Sequence, residues 1–177
     1  MDTNLDLEIV QASQLTPDLR AAIYALCNRA YEAELEPLFN TFENATHVIG
    51  FLGTTPVSHA MWVPRWLQAG EHLRLHTAYI EMVATETQFQ RRGFAARVMR
   101  RLASAITDFE IGGLCPAEPE LYAKLGWDYW RGPLFIRTQA GLLPTPEEKI
   151  MILRLPKTPV LDLDLPLSAE WRRGELW

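Results

Sequence analysis

The hexapeptide QRRGFA, residues 90–95, follows an apolar, alternating run, YIEMVAT (79–85), and precedes a stretch of helical periodicity, RVMRRLASAI (97–106). A loop that leaves a strand and enters a helix presents backbone N–H groups with no intrahelical partner, and the helix dipole adds partial positive charge at that end. Oxyanions bind there. Gly93, lacking a Cβ, lets the backbone come close to such an ion, and Arg91 and Arg92 can add charge-assisted hydrogen bonds. The residue types alone leave two readings open, a phosphate cradle and a solvated basic turn. Upstream, Glu81 places a carboxylate in an otherwise apolar strand run. Burying it unpaired is costly, so it is expected to face a cleft or solvent.

These groups need a frame to hold them. Residues 5–11 alternate weakly and read as a first strand, and TPDLRAAIYALCNRAYEAEL (16–35) opens with a Thr-Pro helix start and spaces Leu19, Ile23, Leu26 and Ala30 at helical intervals. ELEPLFNTF (34–42) reads as a short second helix or a loop broken by Pro37. THVIGFLG (46–53), PVSHAMWVPRWL (56–67) and HLRLHTAYIEMVAT (72–85) are β-rich and form an antiparallel meander, with hairpin connections at Gly53–Pro56 and Gln68–Glu71. A helix over Arg92–Asp108, an apolar IGGLCP (111–116), a helix over PELYAKL (119–125), and strand-like WDYWRGPLFIRT (127–138) and KIMILRLP (149–156) complete the order β-α-β-β-β-α-β-α-β-β. That order describes an α/β domain of the layered α+β kind, a mixed central sheet with helices against it. The last segment, LDLDLPLSAEWRRGELW, is too apolar and aromatic for an idle tail and is expected to pack back on the domain.

Length and composition bound the rest. A chain of 177 residues fits one domain, 1–177, able to bury a core without staples. Cys27 and Cys115 are far apart and match no metal or disulfide framework, and the four histidines lack metal-ligand spacing. Both cysteines read as reduced thiols, small and buried, and no metal is expected. The N-terminus has neither the basic nor the apolar region of a leader, and no apolar stretch is long enough to span a membrane. A cytoplasmic protein with no membrane partner is the expectation. The net charge of −5 is concentrated in residues 1–70, with eight acids against three bases. That sign argues against nucleic acid, including binding through a helix bearing Arg91, Arg92, Arg97, Arg100 and Arg101, and is compatible with a cationic small molecule.

QRRGFA fits the Q/R-x-x-G-x-G/A signature of the GNAT acetyltransferase superfamily, with Gln90 first, Gly93 the fixed glycine and Ala95 the last small position. VATETQF (83–89) resembles that family's lead-in, and the element order up to about Pro156 matches its fold. The resemblance implies the GNAT fold, a mixed central sheet with one splayed strand and flanking helices. It also implies that acetyl-coenzyme A is the cosubstrate. Its pyrophosphate would lie on Gln90, Arg91, Arg92, Gly93, Phe94 and Ala95, and its pantetheine arm would pair with backbone groups of Val83 and Thr85 at a β-bulge.

The segment ELYAKLGWDYWRGPLF (120–135) resembles one branch, the aminoglycoside 2'-N-acetyltransferases, as do YIE (79–81), TPEEKIMILRLP (145–156) and the terminal EWRRGELW (170–177). This implies two catalytic residues, Tyr122 as general acid and Glu81 as a base acting through water on the acceptor amine. Glu175 and Trp177, in a tail of about 157–177 packing toward the acceptor site, would bind a cationic acceptor. Where that family carries a Gly-Asp-Phe segment this chain has EAELEPLFNTF (32–42), so Glu34 and Glu36 are the substitutes. The expected activity is direct transfer of acetyl to a primary amine of a polar, cationic small molecule. Aminoglycosides, polyamines, amino-acid derivatives and peptide amines all stand as acceptors, and monomer and homodimer both remain open. A non-catalytic acyl-coenzyme A sensor is the rival from another class. A Cys115 acyl-enzyme is disfavoured, because no histidine partner is evident.

Overall fold

The computed structural model describes residues 5–177; Met1–Asn4, the start of the stretch read as carrying no leader, lies outside the described residues. The chain opens with β1 (Asp6–Gln11), α1 (Pro17–Tyr31) and α2 (Glu36–Phe39), followed by β2 (Thr46–Leu52), β3 (Thr55–Ala69) and β4 (Leu73–Thr85). Next come α3 (Phe94–Ala105), β5 (Ile111–Leu114), α4 (Pro119–Ala123), β6 (Asp128–Tyr129), β7 (Leu134–Thr138), β8 (Gly141–Pro144), β9 (Met151–Arg154) and β10 (Leu167–Glu170). This is the mixed α/β arrangement expected. Among the described residues no helix is long and apolar enough to cross a membrane.

The residues form two compact units. The first takes in the described residues up to Val63 together with Ile80–Ala105; the second comprises Pro64–Tyr79 and Ile106–Trp177. Strands β3 and β4 are long enough to contribute to both.

In the first unit β1 pairs antiparallel with β2, and β2 with β3. Helix α1 starts where Thr16 Oγ1 accepts from the Leu19 N–H at 3.2 Å and Pro17 presets φ. It ends at Glu32 in the left-handed region, φ 53°, and buries Ile23, Leu26 and Cys27. Helix α3 buries Phe94, Val98, Met99 and Leu102 at helical spacing and packs on β2. It is shorter at both ends than the periodicity predicts. Arg91 and Gly93 have φ 61° and 78°, which no right-handed helix admits, so the first turn waits until Phe94.

In the second unit the strand order is β6-β9-β5-β4-β3-β10-β7-β8. The pairs β4–β5 and β10–β7 are parallel, whereas β5–β9, β6–β9, β7–β8 and β10–β3 are antiparallel. Two strands were not foreseen. All four residues of β8 are exposed and give no alternation to read, and β10 forms only through partners far away in sequence, Leu67–Ala69 and Leu134–Arg137.

The tail packs within this unit. The Arg131 and Gly132 N–H groups both donate to the Leu163 carbonyl at 2.9 Å, and Trp130 Nε1 donates to the Leu165 carbonyl at 2.7 Å. WDYWRGPLFIRT therefore breaks into β6 and β7 at Trp130–Pro133, where the chain meets the tail. A Cβ on Gly132 would lie 1.9 Å from the Leu165 carbonyl oxygen and 2.6 Å from that of Asp164. Both neighbours are backbone and cannot rotate away. Gly132→Ala should therefore destabilise the fold by about 3 kcal/mol in urea denaturation, and an unchanged midpoint would contradict this packing.

Candidate functional site

In the first unit, β4 departs from regular geometry at Met82, whose φ is 53°. A non-glycine residue in the left-handed region costs about 1–2 kcal/mol, so neighbouring groups must hold it there. His59, fully buried on β3, places Nδ1 2.8 Å from the Met82 carbonyl oxygen. A carbonyl only accepts, so that nitrogen carries the proton. Burial, then the neighbouring His47, pushes the His59 pKa down to about 3, and the ring is neutral. Its Nε2 is therefore an acceptor, and His47 on β2, with Nδ1 2.9 Å away, is the donor. Burial, then Arg20, lowers His47 to about 4. The Cys27 thiol, 3.7 Å from His59 Nδ1, is pushed up to about 12 by burial and stays protonated.

The carbonyls beyond Met82 are also taken up by side chains. Tyr31 donates to the Val83 carbonyl at 3.0 Å, Ser58 to that of Ala84 at 3.3 Å, and Gln90 Nε2 to that of Thr85 at 3.3 Å. The Ser58 and Thr85 hydroxyls are 2.8 Å apart. Strand β4 nevertheless runs on to Thr85, and the Glu86 N–H donates to the Val57 carbonyl of β3 at 2.9 Å. A left-handed residue inside a continuous strand is a β-bulge. On its other edge β4 pairs with β5 only over Thr77–Tyr79, so Val83 and Thr85 lie beyond that ladder.

The chain then makes a short turn at Thr87–Phe89 and reaches the hexapeptide. Glu86 is anchored by Arg29, whose Nε donates to it at 3.0 Å. Gly93 is exposed, and a Cβ there would meet nothing within 4 Å. The helical ladder starts with the Arg97 N–H donating to the Gly93 carbonyl at 3.0 Å, which leaves the preceding N–H groups without intrahelical partners. Arg91 is exposed, and the Arg92 guanidinium lies 5.3 Å from the centre of the Phe89 ring. The Phe94 side chain is buried, so only its backbone can meet a ligand. Open space at a helix N-terminus flanked by two arginines suits a pyrophosphate, and these residues fit the coenzyme A that the motif implies.

Glu81 is half-buried on β4, one residue before the bulge. Glu34, between α1 and α2, and Glu36, the first residue of α2, are exposed, and Glu34 accepts from Asn28 Nδ2 at 3.2 Å.

The second unit holds the other expected site residues. Tyr122 is buried on α4 and meets Trp127 edge-on at 6.2 Å. Gly126, at φ 86°, turns the chain so that the Trp127 N–H reaches the Tyr122 carbonyl at 3.1 Å. Burial, with lesser contributions from Glu118 and Cys115, pushes the phenol up to about 12. The Trp177 side chain is buried and its indole donates to Thr145 Oγ1 at 2.8 Å, while Glu175 is exposed and its carbonyl accepts from Arg172. Cys115 corrects the expectation of a buried thiol: it is exposed at the end of β5, 3.6 Å from Glu148.

Sequence reasoning missed His47, His59, Ser58 and Tyr31, the side chains that hold the bulge. The available signal was a histidine in each of two adjacent apolar strands, THVIGF and VSHAMW.

A sequence model of the acetyltransferase (GNAT) domain matches residues 11–130. The chain is 27% identical over 128 residues to an aminoglycoside 2'-N-acetyltransferase of Mycolicibacterium fortuitum, covering 68% of this chain and 65% of that protein's length. The GNAT family N-acetyltransferase YhbS of Escherichia coli, solved with coenzyme A, is similar in fold with a TM-score of 0.65 at 14% identity, over 97% of this chain and 93% of its own. Eis1 of Mycobacterium abscessus aligns with a TM-score of 0.59 at 16% identity, over 72% of this chain and 32% of its own.

The histidine pair has a pH signature. Both folded-state pKa values lie below the ordinary 6.5, so on acidification the unfolded chain takes up protons that the folded chain refuses. Their contribution to stability is full above about pH 6.5 and is lost progressively as pH falls through that value toward 4 and then 3. Urea midpoints measured across this window should fall, and His47→Asn should flatten the dependence. An unaltered slope in the variant would refute the assignment.

Proposed function

Because the chain belongs to the GNAT acetyltransferase family, we propose that it transfers acetyl from acetyl-coenzyme A directly to a primary amine of a polar, cationic small molecule. The observation that carries this reading is the bulge at Met82 leading into the left-handed loop at Arg91 and Gly93. A strand edge beyond the β4–β5 ladder and a helix start suited to an anion lie within a single short stretch of chain. Residues 1–177 act as one acetyltransferase domain, and the two units are parts of it.

When bound, acetyl-coenzyme A supplies an acyl thioester whose leaving group needs one proton while the acceptor ammonium must lose one. Gly93, Phe94 and Ala95 bind phosphate oxygens through backbone N–H groups, with Gln90, Arg91 and Arg92 beside them. Val83 and Thr85 offer backbone groups along the strand edge beyond the β4–β5 ladder. Glu81, half-buried, takes up the ammonium proton through water at its carboxylate. Tyr122 keeps its proton at Oη throughout the neutral range, because burial holds its pKa near 12, and gives it up as general acid. Glu34, Glu36 and Glu175 attract a cationic acceptor, and Trp177, buried with its indole bonded to Thr145, anchors the segment that carries Glu175. The likeness to an aminoglycoside acetyltransferase supports an aminoglycoside-like acceptor. Since the chain spans 65% of that relative, the acceptor is carried over as a proposal.

Thiol release from acetyl-coenzyme A tests this with kanamycin-like and gentamicin-like sugars, polyamines and peptide amines, on the natural chain and on Tyr122→Phe. Turnover should be strongest with the cationic sugars, and Tyr122→Phe should lower kcat about a hundredfold with little change in coenzyme A affinity. Turnover on peptide amines alone would overturn the acceptor. Binding without turnover on any amine would make the chain an acyl-coenzyme A sensor.

A further inference from the structure

His59 stands on β3 with its ring against the carbonyl of Met82, the bulged residue of β4. Its register partner on β2 is Ile49, and His47 pairs with Met61, so the two histidines are diagonal neighbours on one sheet face. That face is closed by Cys27 of α1 and by the Phe39 ring of α2, centred 6.3 Å from the His59 ring. No charged group is needed in this pocket. A neutral imidazole can donate from one nitrogen only, and which one is fixed by what the other receives. Here His47 Nδ1 faces His59 Nε2 at 2.9 Å, which leaves His59 Nδ1 as the donor to Met82 at 2.8 Å. The pair is thus a relay of orientation, in which one histidine sets the tautomer of the next and the next sets a backbone carbonyl.

We propose that His59, locked as the Nδ1–H tautomer by His47, is a positioning residue for acyl-coenzyme A binding. It holds Met82 in the left-handed conformation that orients the backbone of Val83 to Thr85, beyond the last β4 residue paired with β5, Tyr79. This inference rests on the functional reading above, since that edge is the one assigned to the pantetheine arm. Without the imidazole donor, Met82 loses the bond that offsets its strained conformation. Val83 to Thr85 then turn from the orientation that offers their backbone groups to a ligand. Asparagine places an amide N–H where Nδ1 stands, so it should preserve the bond, whereas leucine fills the space without a donor.

The test combines calorimetric titration of coenzyme A on the natural chain, His59→Leu and His59→Asn with ring ¹⁵N shifts of the natural chain. Expected are the Nδ1–H tautomer at both His47 and His59, a coenzyme A Kd weakened about ten- to a hundredfold in His59→Leu, and recovery of most of that loss in His59→Asn. With saturating cosubstrate, the kcat of His59→Leu should fall far less than its KM for acetyl-coenzyme A rises. A His59→Leu protein that melts earlier yet binds coenzyme A with unchanged affinity would overturn the proposal. So would a natural His59 carrying its proton on Nε2, a measurement that needs no variant to fold. A natural chain that binds no coenzyme A would instead overturn the functional reading, so the two failures are separable.

Discussion

Strand β4 takes a left-handed residue at Met82 without ending, and much of the first unit is arranged around that bulge. Backbone carbonyls cannot be left unsatisfied away from water without a cost of about 1–3 kcal/mol each. The unit meets this with side chains drawn from different elements: His59 and Ser58 from β3, Tyr31 from the end of α1 and Gln90 from the loop. The consequence is a bulged strand end held in one conformation by side chains, beyond the stretch of β4 that pairs with β5. Immediately after it, the positive φ values of Arg91 and Gly93 turn the chain into α3. The buried face of α3, from Phe94 to Leu102, then fixes that turn against the sheet.

The second unit answers a different constraint. Its sheet is completed by a segment from the far end of the chain, β10, which lies between β3 and β7. Arg65 is buried there; its Nε and Nη2 donate to the side chain and carbonyl of Glu170 at 3.1 and 3.0 Å. Arg137 binds the Ser168 carbonyl at 2.6 Å and the Trp66 carbonyl at 2.7 Å. Burial lowers the pKa of both arginines, the Glu170 carboxylate opposes that shift, and they remain charged because the guanidinium pKa starts so high. These bonds, with the close approach of the tail backbone to Gly132, give β10 its register. Tyr122 is seated separately, under Trp127 at the Gly126 turn, where burial keeps its phenol protonated.

The motif-bearing parts of this structure were legible because their signals are local. QRRGFA, the glycine at 93 and the strand-then-helix flanks are all contained in one stretch, and the structure places Gly93 at the positive φ that only glycine adopts without strain. The meander, both hairpin turns and the packed tail also came from local alternation and composition. What could not be read depends on partners distant in sequence. His47 and His59 look like ordinary residues of two strands, and their importance appears only when β4 brings the Met82 carbonyl to them. Strand β10 has four residues and no pattern until its neighbours supply one. Cys115 follows an apolar β5 that predicts burial, but it lies past the last buried residue of that strand, Leu114.

The central claim is that the bulged end of β4, the loop and the start of α3 form one acyl-coenzyme A cradle. Amide hydrogen exchange with and without coenzyme A measures this directly, because each amide reports on its own segment. Slowed exchange concentrated between Met82 and Arg97 is the expected result. Unchanged exchange there at saturating coenzyme A, or protection confined to another part of the chain, would contradict the account.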